Sequence, residues 1–386
     1  MGKIKKEITF IYSDSAEKSM YLPIGVEAEA RGFKVSYTKN IFEKCEIGFY
    51  CQHQNHPQYS KLSVIMLHDI IQQYSNWPDI WFREPWNKYD IGILPSNQWE
   101  ENWNQCSQWF YTRPRKGIYK VGWPKADVVV GISGNHFNER IYNEYNLDKK
   151  KETVLYAPAW ENDGKQDDFV KAMLSLNVNI LIKQAPWDQD QYPQIVANVA
   201  EMYEAHKDIP NVVILPPETN IYNAISVCDV LVSEESSTMC EAAMLGIPAV
   251  SVSDWLIPDV NPSRYPRNDY TFVTLTTKEK LAHTVSEILG HYEKYSSKVQ
   301  EFAAQNFQNI GNSSKIIMDI IEDYYNGNEI RYENLTPRQK ERLSACKFIR
   351  FNYMMLKTEF VGNYCQKNPI LSWLYQILKK IKSLVV

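Results

Sequence analysis

Short apolar runs alternate with longer amphipathic stretches along most of the chain. Ile8–Tyr12, Lys34–Tyr37, Ile47–Cys51, Ser63–Leu67, Asp90–Leu94 and Val128–Ile132 read as strands, and Glu17–Arg31 reads as a helix ended by Gly32. A second series starts at Thr153–Ala157 and continues through Val178–Ile182, Asn211–Leu215, Asp229–Val232 and Pro248–Val252. Helical patterns at Asp168–Leu176, Tyr192–His206, Asn220–Val227 and Ser237–Leu245 separate these runs. Near-continuous apolar strands joined by crossovers this long belong in parallel sheets covered on both faces. The pattern predicts an α/β chain of two doubly wound, Rossmann-like domains, 1–150 and 151–330, followed by a basic helical tail, 331–386. A cleft between the carboxyl ends of the two sheets is the expected site.

Composition changes this picture little. The 386 residues are 44% hydrophobic and 23% charged, a globular balance. No apolar run approaches the length of a membrane span, and Ile8–Tyr12 is too short for a signal peptide. Seven scattered Cys without a C-x-x-C pair suggest neither a disulfide framework nor a zinc site, and a cytoplasmic location is expected. The net charge of −4 is uneven: the segment from Arg331 carries +8, leaving −12 on the first 330 residues. Such a tail suits an anionic membrane surface, and Leu371–Val386 places apolar positions between Lys379, Lys380 and Lys382. The expected partner is therefore the inner face of a membrane, with no nucleic acid. The alternative is a helix that crosses back onto the first domain.

The richest segment is Cys228–Val250. A strand runs into Glu234-Glu235-Ser236-Ser237, and a small-residue helix follows and ends at Gly246. Ser236, Ser237 and Thr238 at a helix start suit phosphate, because unpaired N–H groups and the helix dipole point the same way. Glu241, one turn further on, is placed to accept from ribose hydroxyls. A plain N-cap would explain one Ser but not the whole cluster.

These residues resemble the donor-site segment of two-domain nucleotide-sugar transferases of the GT-B fold. They are most similar to the CDP-glycerol glycerophosphotransferases of teichoic-acid and capsule synthesis. Three further segments match in order: Val64–Asp69 with Trp86–Leu94, Val154–Trp160, and Ile180–Lys183. The resemblance implies a donor nucleotide on the second domain, with Ser236, Ser237, Thr238, Glu235, Glu241, Lys183 and the Pro216 loop around it. It implies His68 as the base that takes the proton of an acceptor hydroxyl, with Asp69 orienting it or acting itself. It implies no cofactor and no metal. The acceptor would be a cell-surface or lipid-linked glycan.

Several positions depart from the family. Gln184-Ala185-Pro186-Trp187 stands where the family carries a second His, Glu161 replaces an Arg, and Asp69 replaces a Gly. These changes leave open a sugar-nucleotide epimerase-like enzyme or a non-catalytic glycan-binding relative. Lys183 could neutralise a donor phosphate or be a solvated strand-end Lys. The Trp residues at 77, 81, 86, 99, 103 and 109 could form a sugar-stacking platform or core. His53 and His56 read as a polar loop. There is no P-loop and no dinucleotide motif, and no D-x-D flanked by a strand.

Overall fold

The structure, a computed structural model, describes residues 4–51, 56–68, 70, 81, 84, 86–107, 112–132, 135–161, 164–190, 192–255 and 271–337, with scattered positions from 349 to 377. Two parallel six-stranded sheets form its two lobes. The first contains β1 (Glu7–Ile11), β2 (Lys34–Thr38), β3 (Cys45–Tyr50), β4 (Ser60–Met66), β5 (Ile91–Leu94) and β6 (Gly117–Lys120) in the order β2-β1-β3-β4-β5-β6. The second contains β7 (Thr153–Tyr156), β8 (Asn179–Lys183), β9 (Val212–Leu215), β10 (Val230–Ser233), β11 (Ala249–Val252) and β12 (Val273–Thr276), ordered β12-β11-β10-β7-β8-β9. The strand order reverses beside β1 and β3 in the first sheet and beside β7 and β10 in the second. Those reversals are where doubly wound sheets open a crevice at their carboxyl ends.

Helix α1 (Ser15–Ala30) follows β1 and is N-capped by Asp14, whose side chain accepts from the Glu17 amide. Helices α2 (Asn97–Cys106) and α3 (Asn135–Glu144) also belong to the first lobe. In the second lobe α4 (Lys165–Leu174), α5 (Pro193–His206), α6 (Ile221–Ile225) and α7 (Thr238–Met244) lie between strands. Helices α8 (Leu281–Gly290), α9 (Tyr292–Asn306) and α10 (Ser313–Asn326) follow the second sheet.

The return to the first lobe begins before residue 331, the start expected for the tail. Gln308 and Asn309 donate to the carbonyls of Lys120 and Val121, and Asp127 accepts from the Ser313 and Ser314 amides at the start of α10. Arg31, the C-cap of α1, then holds Asp319 at 2.6 Å and Glu322 at 2.9 Å on α10. Gly122 sits at the crossing with φ +120°, and a Cβ there would lie 2.5 Å from the Gln308 carbonyl. Only Gly meets both conditions.

Two expectations are corrected, and one open alternative is closed. Val128–Ile132 is not a strand but the end of a 3-10 helix, Pro124–Ile132, since β6 already occupies that edge of the sheet. The edge strands β6 and β12 are additional; each is four residues long. The tryptophans at 81, 86, 99 and 103 are at most 1% exposed, with Trp81 stacked on Trp86 at 4.9 Å and edge-on to Trp99 at 5.2 Å. They are core beneath the first sheet and cannot present a sugar platform, because large rings bury more apolar area than any other side chain. Trp77, Trp109 and His53 lie outside the described residues. His56 stacks on Phe42 at 4.7 Å. The cysteines at 45, 51, 106, 228 and 240 are buried.

Candidate active site

On the first lobe the site grows from the carboxyl ends of β1, β3 and β4. His68 follows β4 and Cys51 follows β3, while Glu17 stands in the first turn of α1. Nδ1 of His68 lies 3.8 Å from Cys51 Sγ and 4.0 Å from Glu17 Oε1. Glu17 is 1% exposed; its Oε2 accepts from the Ser13 amide at 2.6 Å and the Ser13 hydroxyl at 3.0 Å. Ligand atoms of these three residues lie within 4.8 Å of one another, close enough to surround a metal ion. Motif reading missed Glu17 and Cys51 because three separate strand ends bring them to His68. The capping spacing Asp14-x-x-Glu17 right after a strand was the available signal. Asp69 lies outside the described residues.

On the second lobe β10 ends in Ser233, and the turn to α7 follows. Ser236 Oγ accepts from the Thr238 amide at 3.2 Å and the Thr238 hydroxyl at 2.9 Å. Ser237 and Thr238 are half-buried, whereas Glu234 and Glu235 are buried. Glu234 accepts from the Ala159 and Trp160 amides and pairs with buried Lys165 at 3.1 Å. Glu235 accepts from Trp160 Nε1 at 3.0 Å. The two acidic side chains thus bind the loop after β7, one residue pair ahead of the hydroxyls. Buried ions persist only with such partners.

Lys183 ends β8 with its ammonium buried, donating to the carbonyls of Gln184 at 3.0 Å and Pro217 at 3.1 Å. It is not a solvated strand-end Lys. Burial, with help from nearby Lys125, draws its pKa down to about 8. The Pro216 carbonyl accepts from the Thr219 amide at 2.9 Å, closing the turn after β9. Glu161, in the position of the family's Arg, is buried and accepts from Tyr156 and from the Gln184 side-chain amide. Burial pushes its pKa up to about 7 despite those two bonds, so it is only partly charged at neutral pH.

The two ends meet. Glu241, on α7 one turn after Ser237, accepts from Trp123 Nε1 at 3.0 Å and pairs with Lys125 at 2.7 Å. Both partners lie on the first lobe just beyond β6. Ser15, two residues before Glu17, donates to the Pro186 carbonyl at 3.1 Å. The hydroxyl turn therefore stands at the contact between lobes and not on an outer wall, while one oxygen of Glu241 is already committed to that contact.

Two parallel α/β lobes with opposed strand ends and a C-terminal return helix define the GT-B class of transferase architecture. The chain belongs to the CDP-glycerol:poly(glycerophosphate) glycerophosphotransferase family, which matches residues 72–323. Among solved structures, the wall teichoic acid polymerase TagF is 15% identical with a TM-score of 0.59, over 83% of this chain and 90% of its own. The UDP-GlcNAc 2-epimerase of Neisseria meningitidis bound to UDP-GlcNAc is 13% identical with a TM-score of 0.57, over 82% and 100%. The S. aureus MnaA–UDP structure is 11% identical with a TM-score of 0.57, over 88% and 100%. At these identities the likeness concerns the fold. No curated protein matches the chain.

Proposed function

We propose that the chain transfers a polyol-phosphate or glycosyl group from a nucleotide-activated donor, CDP-glycerol foremost, to a hydroxyl of a cell-surface polymer or lipid-linked glycan. Membership of the glycerophosphotransferase family supports the reaction class. The observation that carries the residue assignment is the placement of the Ser236–Thr238 turn at the lobe contact, through Glu241 with Trp123 and Lys125. His68 stands on the first lobe beside Glu17, two residues after Ser15, which touches Pro186 of the second lobe.

In this reading the donor's phosphates bind the hydroxyls and amides of Ser236–Thr238. The acceptor oxygen attacks the donor's phosphorus, or its anomeric carbon for a sugar. As that bond forms, the bond to the nucleotide breaks and the acceptor proton passes to His68. The nucleotide leaves as the phosphate-bearing product. Such transfer depends mainly on positioning and on fixed charge. Lys125 and Lys183 supply positive charge beside the leaving phosphate, so the reading uses no resident metal. Glu235 shapes the loop after β7, and the Pro216 turn borders the nucleotide base.

The purified protein is expected to release nucleotide from one member of a panel of CDP-, UDP-, GDP- and CMP-activated donors, only when acceptor is present, and equally in EDTA. Turnover of a UDP-sugar without any acceptor would instead favour the epimerase-like reading.

The tail carries the proposed location, the inner face of the membrane. No helix among the described residues is long and apolar enough to cross a bilayer. Ile370, Trp373 and Leu374 are 69%, 64% and 43% exposed beside a basic C-terminus. Replacing Trp373 and Leu374 with Ala is expected to abolish co-sedimentation with phosphatidylglycerol vesicles while leaving neutral vesicles unbound throughout. Unchanged sedimentation of the double variant would remove the membrane role.

A further inference from the structure

We infer that Glu17 is the positioning residue of His68: its Oε1 receives the Nδ1–H of the imidazole and fixes Nε2 as the nitrogen that takes the acceptor proton. The inference rests on the transfer reading above and assigns a residue that the family motifs do not contain.

Glu17 has two carboxylate oxygens with separate surroundings. Oε2 is occupied by the amide and hydroxyl of Ser13, which together hold the chain at the entry to α1. That local role accounts for a Glu at the third helical position, but only for one oxygen. Oε1 is buried without a hydrogen-bond partner, and it points to His68 Nδ1 at 4.0 Å. A buried carboxylate oxygen left unsatisfied is costly unless it serves a group that approaches it. Catalytic hydrogen bonds are often long before substrate binds and tighten in the complex. A rotation of the imidazole, whose side chain is 23% exposed, closes the gap.

Among the described residues, Cys51 and Tyr21 also face this space. Cys51 Sγ stands 3.8 Å from the same Nδ1. Tyr21, one turn after Glu17 on α1, is fully buried, and burial keeps its proton in place well above the ordinary range. Neither competes with the carboxylate as an acceptor of positive charge. During transfer the imidazole gains a proton on Nε2 and becomes a cation. The Glu17 carboxylate beside it stabilises that cation without itself taking the proton, as carboxylate–imidazole pairs do.

The test uses Glu17→Gln, which keeps an acceptor for Ser13 but places an amide donor toward Nδ1. Thermal stability should stay near the parent value, while kcat falls by as much as about 10⁴-fold, the loss when the carboxylate of a carboxylate–imidazole pair becomes an amide. The donor KM should hold, and the acidic limb of the pH–rate profile should move to lower pH. Independently of turnover, 15N NMR of the unmodified protein, assigned with His68→Ala, should find the His68 proton on Nδ1. Glu17→Gln should move it to Nε2. Parent-like kcat and pH profile, an Nε2–H tautomer in the unmodified protein, or one equivalent of zinc held by Glu17, Cys51 and His68 would each overturn the inference. If the NMR result holds while His68→Ala retains full transfer, the pairing stands and the transfer reading fails.

Discussion

Replacing His68 with Ala is expected to lower the transfer rate by about 10²- to 10⁴-fold, the range ascribed to a positioned general base, while donor affinity stays at the parent level. The reasoning is spatial. His68 follows β4 on the first lobe, whereas the hydroxyl turn that would hold the donor belongs to the second. On the proposed assignment, losing the imidazole removes the proton acceptor and touches no donor contact. Glu17, already bound to Ser13 through Oε2, keeps its place at the start of α1, so the fold should survive. Single-turnover release of nucleotide with acceptor present measures the effect. A variant with parent activity would show that the first lobe contributes no base at this position.

The largest stability effect is expected from Glu234→Ala. This carboxylate is 3% exposed and gathers the amides of Ala159 and Trp160, the Ser233 hydroxyl and the Lys165 ammonium. Removing it leaves Lys165, itself 3% exposed, as an uncompensated buried charge beside two unsatisfied amides. Breaking such a pair from one side costs about 3–5 kcal/mol, which for a lobe of this size lowers the thermal midpoint by roughly 10 °C. The double replacement Glu234→Leu with Lys165→Met should recover much of that loss, since it removes both charges. It should not recover activity, because the loop after β7 loses its anchor. An unchanged melting curve for Glu234→Ala would mean that the cluster is solvated and contributes little.

Much of the architecture is legible in the chain because buried parallel strands are apolar on both faces. Val154, Leu155 and Tyr156 on β7, or Val230, Leu231 and Val232 on β10, cannot be mistaken for surface segments. Edge strands lack that mark. β12 carries two half-buried residues, an exposed Leu275 and one buried Thr, and β6 opens on a Gly with φ +127°, so neither run declares itself. The opposite error arises at Val128–Val130, where three β-branched residues imitate a strand. Pro124 instead opens a 3-10 helix there. Periodicity reports local preference and says nothing of whether an edge remains to be joined.

The site divides in the same way. Ser236–Thr238 and His68 stand out as candidates because each follows a strand inside a contiguous motif. The functions of the charged residues around them are not, because they depend on partners distant in sequence. Lys183 reads equally as a phosphate neutraliser or a solvated strand end, and its ammonium is buried against the Pro217 carbonyl. Glu241 reads as a ribose contact, yet it joins Trp123 and Lys125 across the lobes. The tryptophans between 81 and 103 invite a sugar platform and turn out to fill the first lobe's core. In each case burial decides, and burial is a property of the assembled sheets.

The most direct measurement is calorimetric titration of CDP-glycerol into the parent protein, His68→Ala, and Ser236→Ala combined with Ser237→Ala. The account predicts the same dissociation constant for the parent and His68→Ala, and a loss of at least tenfold for the double Ser variant, about 1.4 kcal/mol. Parent-like affinity in the Ser variant, with weakened binding in His68→Ala, would contradict the assignment of the donor to the second lobe.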